Sequence, residues 1–105
     1  MTDYVQVSTA TETKDQAVTL ARSAVQARLA AGAQITGPVT SAFWHDDAYG
    51  EGEEYRLLLT TTAARYPELE AHLIKHHPWQ RPELCRTPVT GAPHYLEWID
   101  RYATD

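Results

Sequence analysis

The chain opens with alternating large and polar side chains and then changes to helical periodicity. Residues 4–9 alternate in this way and are rich in β-branched residues, which predicts a first strand. Thr13 and Gln16 have the spacing of a capping box, and apolar residues recur at helical intervals over residues 17–29. This pattern predicts a first helix with Gly32 in the left-handed position that often follows a helix C-terminus.

Two further strands are predicted in the middle of the chain. Residues 35–44 indicate a second strand, bent near Gly37-Pro38 because proline cannot donate to a β-ladder. Residues 46–52 are polar and contain glycine, which is typical of a hairpin loop, and residues 54–61 indicate a third strand. The pattern therefore predicts a β-hairpin at this point.

The last part of the chain predicts a helix, a short strand and a final helix. Pro67 suits the first turn of a second helix, and Pro78 ends it. Residues 85–89 indicate a fourth strand, which Pro88 places at a sheet edge. Helical spacing relates Leu69, Leu73, Ile74 and His77 in the second helix, and Tyr95, Trp98, Ile99 and Tyr102 in the third.

The predicted order β-α-β-β-α-β-α specifies the fold class. It is the split βαβ pattern of an α+β, ferredoxin-like sandwich with an added C-terminal helix, and residues 1–105 are predicted to form one domain. The last helix is rich in aromatic residues, so we expect it to pack either on the sheet or on a neighbouring subunit.

Composition excludes several classes of function. The 14 acidic residues outnumber the 9 basic ones, and the basic residues form no cluster, which argues against nucleic-acid binding. No run approaches the roughly 18 apolar residues of a membrane span. The absence of a secretory signal pattern predicts a cytoplasmic protein. A single cysteine, Cys85, excludes an internal disulfide and a CxxC metal site, and its own role stays open.

Histidines are the most suggestive candidates for chemistry. His72 and His76 are four residues apart, so their rings project from one face of the second helix and could share a metal ion; His77 follows on the next face. The alternative is that His76 and His77 are basic residues favoured near a helix C-terminus.

The sequence has neither a nucleophile elbow nor a glycine-rich phosphate loop. Trp44 and Trp79 are candidates for a subunit interface or pocket rather than the core.

Several motifs together carry a resemblance to a known family. They are Arg28-Leu29-Ala30-Ala31, Phe43-Trp44, His77-Pro78-Trp79, Pro82-Glu83, Pro88-Val89 and Tyr95-Leu96-Glu97-Trp98. In order and spacing they closely resemble the CutA family of divalent-cation tolerance proteins. The resemblance implies a ferredoxin-like homotrimer whose sheets join edge to edge, with a proposed link to copper or other divalent-ion tolerance. It also implies that Glu54 contributes to an inter-subunit cleft.

The chain departs from that family at three points. Gly32 stands where the family has a cysteine proposed to bind copper, Thr60 stands where it usually has a lysine, and its expected tryptophan is displaced at Phe43-Trp44-His45. Loss of a thiol and an ammonium group lowers the expected affinity for soft metals and for anions.

Three hypotheses follow. The first is a non-catalytic homotrimer that binds copper or zinc weakly as its only cofactor, with His72, His76 and His77 as metal ligands. The second is a trimer recruited as an enzyme or small-molecule binder, and the third is a scaffold for a protein partner. The residues predicted to line the cleft or binding site are Trp44, Glu54, Thr60, His77, Trp79, Tyr95 and Trp98.

Overall fold

The computed structural model describes residues 3–105 and has the element order that the sequence predicts. The strands are β1 (Tyr4–Thr11), β2 (Gly32–His45), β3 (Ala48–Thr62) and β4 (Cys85–Val89). The helices are α1 (Lys14–Gln26), α2 (Tyr66–His76) and α3 (Pro93–Tyr102). The prediction of an α+β fold with an added C-terminal helix is confirmed.

The four strands form one antiparallel sheet in the order β2-β3-β1-β4. β1 pairs with β3 on one side and with β4 on the other, so that its Val7 lies opposite Leu59 of β3 and Arg86 of β4. β4 is an edge strand, as Pro88 predicted, because proline has no N–H to donate and is tolerated where that position faces away from the neighbouring strand.

Alternate residues of the central strands face α1 and α2 and form the main core. Val7, Leu57 and Leu59 are completely buried there, and the helices contribute Leu20, Ala21, Ala24, Leu69 and Leu73. Because side chains alternate along a strand, the residues between them point to the second face of the sheet. Thr60 is one of these, and its partner in β2 is Gly32.

α3 packs at one end of this second face. Ile99 is its one fully buried side chain within the described residues, and it packs with Ala31, Ala103, Tyr4 and Leu96. Tyr4 also donates a hydrogen bond of 2.5 Å to Asp100. The aromatic side chains of α3 are about two-fifths exposed, so α3 anchors on the sheet and also presents an apolar surface to solvent.

The outer half of the β2–β3 hairpin extends beyond the sheet. β1 pairs only with residues 55–62 of β3, whereas the pairing of β2 with β3 continues to the turn at His45 and Ala48. Residues 39–54 therefore form a two-stranded ribbon, and the molecule measures 44 Å along its long axis against 23 and 21 Å across it. An isolated two-stranded ribbon is only marginally stable in water.

The predicted bend and N-cap are confirmed, but the predicted end of the first helix is wrong. The β2–β3 register shifts between Thr36 and Val39, and the Thr13 capping box is present. α1 ends at Gln26 because Arg28, with φ of 60°, occupies the left-handed position that was expected for Gly32. The Leu29 and Arg28 N–H groups donate to the carbonyls of residues 24 and 25, a Schellman motif that turns Leu29 into the core.

The predicted hairpin loop over residues 46–52 is also wrong in extent. Only Asp46 and Asp47 form the turn, with φ values of 50° and 63° that suit a two-residue type I′ connection. Gly50 belongs to β3 and allows the Phe43 ring to cross the neighbouring strand, since a Cβ at residue 50 would lie 2.8 Å from that ring. Gly50 is therefore required by the close approach of the Phe43 ring and does not mark a loop.

Candidate functional site

His77 is a buried histidine whose two ring nitrogens are both engaged. Nε2 lies 2.8 Å from the Ala10 carbonyl oxygen and 3.1 Å from Thr9 Oγ1, and Nδ1 accepts the Trp79 backbone N–H at 3.0 Å. A carbonyl can only accept, so Nε2 carries the proton and the ring is neutral. α2 ends at His76, and His77 has the extended backbone, with φ of −69° and ψ of 138°, that a following proline favours. This arrangement joins the end of α2 to β1 and leaves no free nitrogen for a metal.

His72 and His76 form a pair on α2. Their ring centroids are 4.5 Å apart, as the four-residue spacing predicted. Ser23 Oγ donates to the Leu20 carbonyl at 2.9 Å and lies 2.9 Å from His72 Nε2. Because the hydroxyl proton is already used, His72 donates from Nε2 and keeps an unprotonated Nδ1.

The predicted three-histidine metal site is not assembled. Within residues 3–105 no group of three or more His, Cys, Asp or Glu side chains is placed to hold a metal ion. His77 bonds to β1, whereas His72, five residues earlier, bonds to α1, so the two rings contact different elements. With both ring nitrogens engaged, His77 is poorly placed to join a shared ion, and His72 and His76 remain as a pair.

A second cluster lies where α3 meets the sheet. The Trp98 ring covers Gly32, and a Cβ at residue 32 would lie 2.9 Å from its edge. Tyr95 stacks on Trp98 with ring centroids 5.8 Å apart and an interplanar angle of 20°. Thr60, opposite Gly32 in the sheet, is nearly buried. Thr60, Tyr95 and Trp98 therefore belong to one end of the second sheet face.

Other predicted cleft residues lie on different parts of the molecule. Trp44 is at the ribbon tip, 76% exposed, with its ring 6.0 Å from that of Tyr49. Glu54 is a ribbon residue opposite Val39 and does not begin the strand as expected. Trp79 packs against His77 on the helix-covered side, with ring centroids 5.3 Å apart. A single copy of the chain thus separates the predicted cleft set into three regions.

Two polar contacts were not predicted from the sequence. Ser23 supports His72 across 49 residues, and its only sequence signal is its position on the inner side of α1. Arg56 forms two hydrogen bonds of 2.8 and 2.6 Å with Glu83, which hold the segment before β4 against β3. Hydrogen bonding to the Arg56 guanidinium lowers the pKa of Glu83.

Comparison with known proteins identifies the family. The sequence model described as CutA1 divalent ion tolerance protein matches residues 5–102. The chain belongs to the CutA family. The divalent-cation tolerance protein CutA of Thermus thermophilus is 32% identical over 82% of this chain and 84% of its own length. The Escherichia coli protein of the same name is 34% identical over 77% of this chain and 73% of its own length.

Solved CutA structures share the whole architecture. CutA from Xylella fastidiosa superposes with a TM-score of 0.93 at 26% identity, covering 97% of this chain and 99% of that one. CutA from Synechococcus elongatus gives 0.91 at 28% identity, covering 99% and 93% of the two chains. The predicted ferredoxin-like CutA fold is therefore confirmed.

The fold explains one departure of this CutA chain from its family. Gly32 stands at the predicted position of the family's cysteine, and the Trp98 indole fills the space that a side chain there would need. Substitution of Gly32 by a larger residue would require Trp98 to move. The change at residue 32 is thus coupled to the aromatic face of α3.

Acidification is expected to destabilise this CutA chain through two histidines. Burial lowers the pKa of His77 below its usual 6.5, although its hydrogen bond to the Ala10 carbonyl opposes the shift. Burial, followed by the nearby His76 and Lys75 charges, lowers the pKa of His72. Below about pH 6.5 the unfolded chain therefore binds more protons than the folded chain. The stabilisation is complete above pH 6.5 and decreases as the pH falls through the lowered folded-state values.

Urea unfolding of metal-free protein at pH 8, 6.5 and 5 measures this dependence. The double variant His72→Gln/His77→Gln is expected to have a flatter profile between pH 8 and 5 than the parent chain. Equal slopes for the two proteins in that range would contradict the assignment.

Proposed function

We propose that this chain is a non-catalytic CutA homotrimer that binds a divalent cation weakly, copper or zinc being the leading candidates. The support for self-association is the ribbon of residues 39–54, which has free backbone edges and pairs with no third strand within residues 3–105. Unpaired strand edges tend to pair with another chain. β4 offers a second free edge of five residues, so edge-to-edge closure would satisfy both.

The distribution of exposed aromatic residues supports the same assembly. Phe43, Trp44 and Tyr49 are between 40 and 76% exposed at the ribbon tip, and aromatic residues are enriched in protein interfaces. Trimer formation would bring the ribbon of one copy near the sheet of another. The separate cleft candidates, Trp44 and Glu54 on the ribbon and Thr60, Tyr95 and Trp98 near α3, would then face each other across a seam between copies.

The cation part of the proposal rests on family membership and on the α2 histidines. The relatives from Thermus thermophilus and Escherichia coli are named divalent-cation tolerance proteins. Copper and zinc both accept imidazole nitrogen, whereas thiolate is the softer ligand that this chain lacks at residue 32. Because the chain offers imidazole nitrogens without that thiolate, we expect it to bind the cation weakly.

Cellular location is proposed to be cytoplasmic, and residues 1–105 to form one unit. Within residues 3–105 none of the helices combines the length and the apolar character that a bilayer span requires. The CutA protein of Archaeoglobus fulgidus, which is 22% identical to this chain, is described as periplasmic. The location of that protein therefore differs from the one proposed for this chain.

Sedimentation equilibrium at micromolar concentration tests the assembly. We expect a species of about 35 kDa, three times the 11.8 kDa chain. The variant Trp44→Asp/Tyr49→Asp should dissociate more readily, because charges at the ribbon tip oppose burial in a seam. Its circular dichroism should be unchanged, since both side chains are exposed. A folded monomer for the parent chain would overturn the trimer.

Titration of the same trimer with copper and zinc tests cation binding. A trimer that binds neither ion would favour the alternative, a small-molecule binder or enzyme using the seam. Stacked, half-exposed Tyr95 and Trp98 would then be the first residues to substitute.

A further inference from the structure

We propose that His72 and His76 are the two protein ligands of a transition-metal site on α2, with Ser23 as the residue that positions His72. The inference deepens the proposed cation binding and rests on it. It places the ion beside the groove between α1 and α2, away from the ribbon and from the α3 aromatic cluster.

The first support is the geometry of the imidazole pair. Two imidazoles on one metal, each at about 2.0–2.1 Å, hold their donor nitrogens roughly 3 Å apart. Ring centroids 4.5 Å apart on successive turns of one helix are compatible with that separation. The helix supplies the spacing, so little conformational freedom is lost when an ion binds.

The second support is the hydrogen bond that orients His72. Ser23 uses its proton on the Leu20 carbonyl, so its oxygen must accept from His72 Nε2. This assigns the proton to Nε2 and leaves the Nδ1 lone pair for a metal. Histidine ligands in metal sites commonly donate their other nitrogen to a fixed partner in this way.

The third support is the surroundings of the pair. His76 is exposed and borders an open groove of about 330 Å³ between α1 and α2, together with Ser23 and Asp15. The groove gives an ion access and leaves room for water as the remaining ligands. Asp15 adds negative charge to the groove lining, which favours a cation.

The donor set indicates the class of ion. Two neutral imidazoles with water suit copper(II), nickel(II) and zinc, and the order of affinities among divalent ions places copper(II) first. Calcium and magnesium prefer oxygen ligands and should not compete. We therefore expect copper(II) to bind more tightly than zinc, with one ion per chain.

Calorimetric titration of chelator-treated, full-length protein with copper(II) and zinc chlorides tests the site. His76→Ala should weaken copper binding at least about tenfold, because one of two ligands is lost. The matched control is His94→Ala, which removes an exposed imidazole from α3 and should leave the affinity unchanged. Electron paramagnetic resonance should report coupling to two nitrogens in the parent protein and to one in His76→Ala.

Ser23 is tested separately as a positioning residue. Ser23→Ala should weaken copper binding by about tenfold, which is typical of lost support for a histidine ligand, and Ser23→Thr should restore it by keeping the hydroxyl. Loss of affinity without rescue by threonine would reject the positioning role.

The outcomes separate this inference from the proposed function. Copper binding that is equal in the parent and in His76→Ala would overturn the His72–His76 site and leave the proposed cation-binding trimer intact. A parent trimer that binds neither ion would overturn both the site and the cation part of the function.

Discussion

Replacement of Ile99 by alanine is expected to lower the free energy of unfolding by about 2–5 kcal/mol, as is usual for truncation of a completely buried isoleucine. Ile99 is the residue through which α3 is anchored between Ala31 and Ala103. Its loss leaves a cavity under a short helix whose other large side chains are half exposed. We therefore expect α3 to detach in part and the Trp98 ring to leave Gly32.

Urea unfolding at fixed protein concentration measures the loss, with near-ultraviolet circular dichroism reporting the environment of Trp98. Ile74→Ala is the matched control, because it truncates the same side chain at a site on α2 that is 54% exposed. Its expected effect is within about 0.5 kcal/mol. Equal losses for Ile74→Ala and Ile99→Ala would mean that α3 is not anchored as described.

Replacement of His77 by alanine is expected to cost at least about 2 kcal/mol in the free energy of unfolding. The substitution removes a buried ring and leaves the Ala10 carbonyl and the Trp79 N–H without their partner. Buried polar groups that lose a hydrogen bond incur their full desolvation penalty. His77→Gln should cost less, since an amide can still donate to the Ala10 carbonyl.

The adjacent histidine provides a matched control for this prediction. His76 is exposed, so His76→Ala should change the stability of metal-free protein by less than about 0.5 kcal/mol. Copper affinity should respond in the opposite way, falling in His76→Ala and persisting in folded His77→Ala. A copper titration in which His77→Ala alone abolishes binding would return His77 to the ligand set.

Much of the fold could be predicted because the relevant signals are local. The capping box at Thr13, the proline in the first turn of α2 and the proline in β4 each act on the backbone within a few residues. The end of α1 was missed because Arg28 adopts a left-handed conformation that glycine usually supplies. That conformation is stabilised by burial of Leu29, which no local pattern reveals.

The candidate site could be predicted only in part. Helical spacing correctly paired His72 with His76, but it also grouped His77 with them, because the end of α2 and the turn at Pro78 reorient that ring. Ser23 was missed since its contact with His72 spans 49 residues. The predicted cleft residues lie apart within one chain because the ribbon carries Trp44 away from α3, so their grouping stays a prediction about the assembled trimer.

The sequence by itself determined the order of strands and helices, the edge position of β4 and membership of the CutA family, since periodicity, proline and spaced motifs specify these directly. Only the tertiary structure decided that His77 is a buried structural residue and that Trp98 occupies the space above Gly32. Both outcomes depend on which distant residues meet when the sheet closes. These long-range contacts follow from strand register and helix packing, and no single segment of the sequence specifies either the register or the packing.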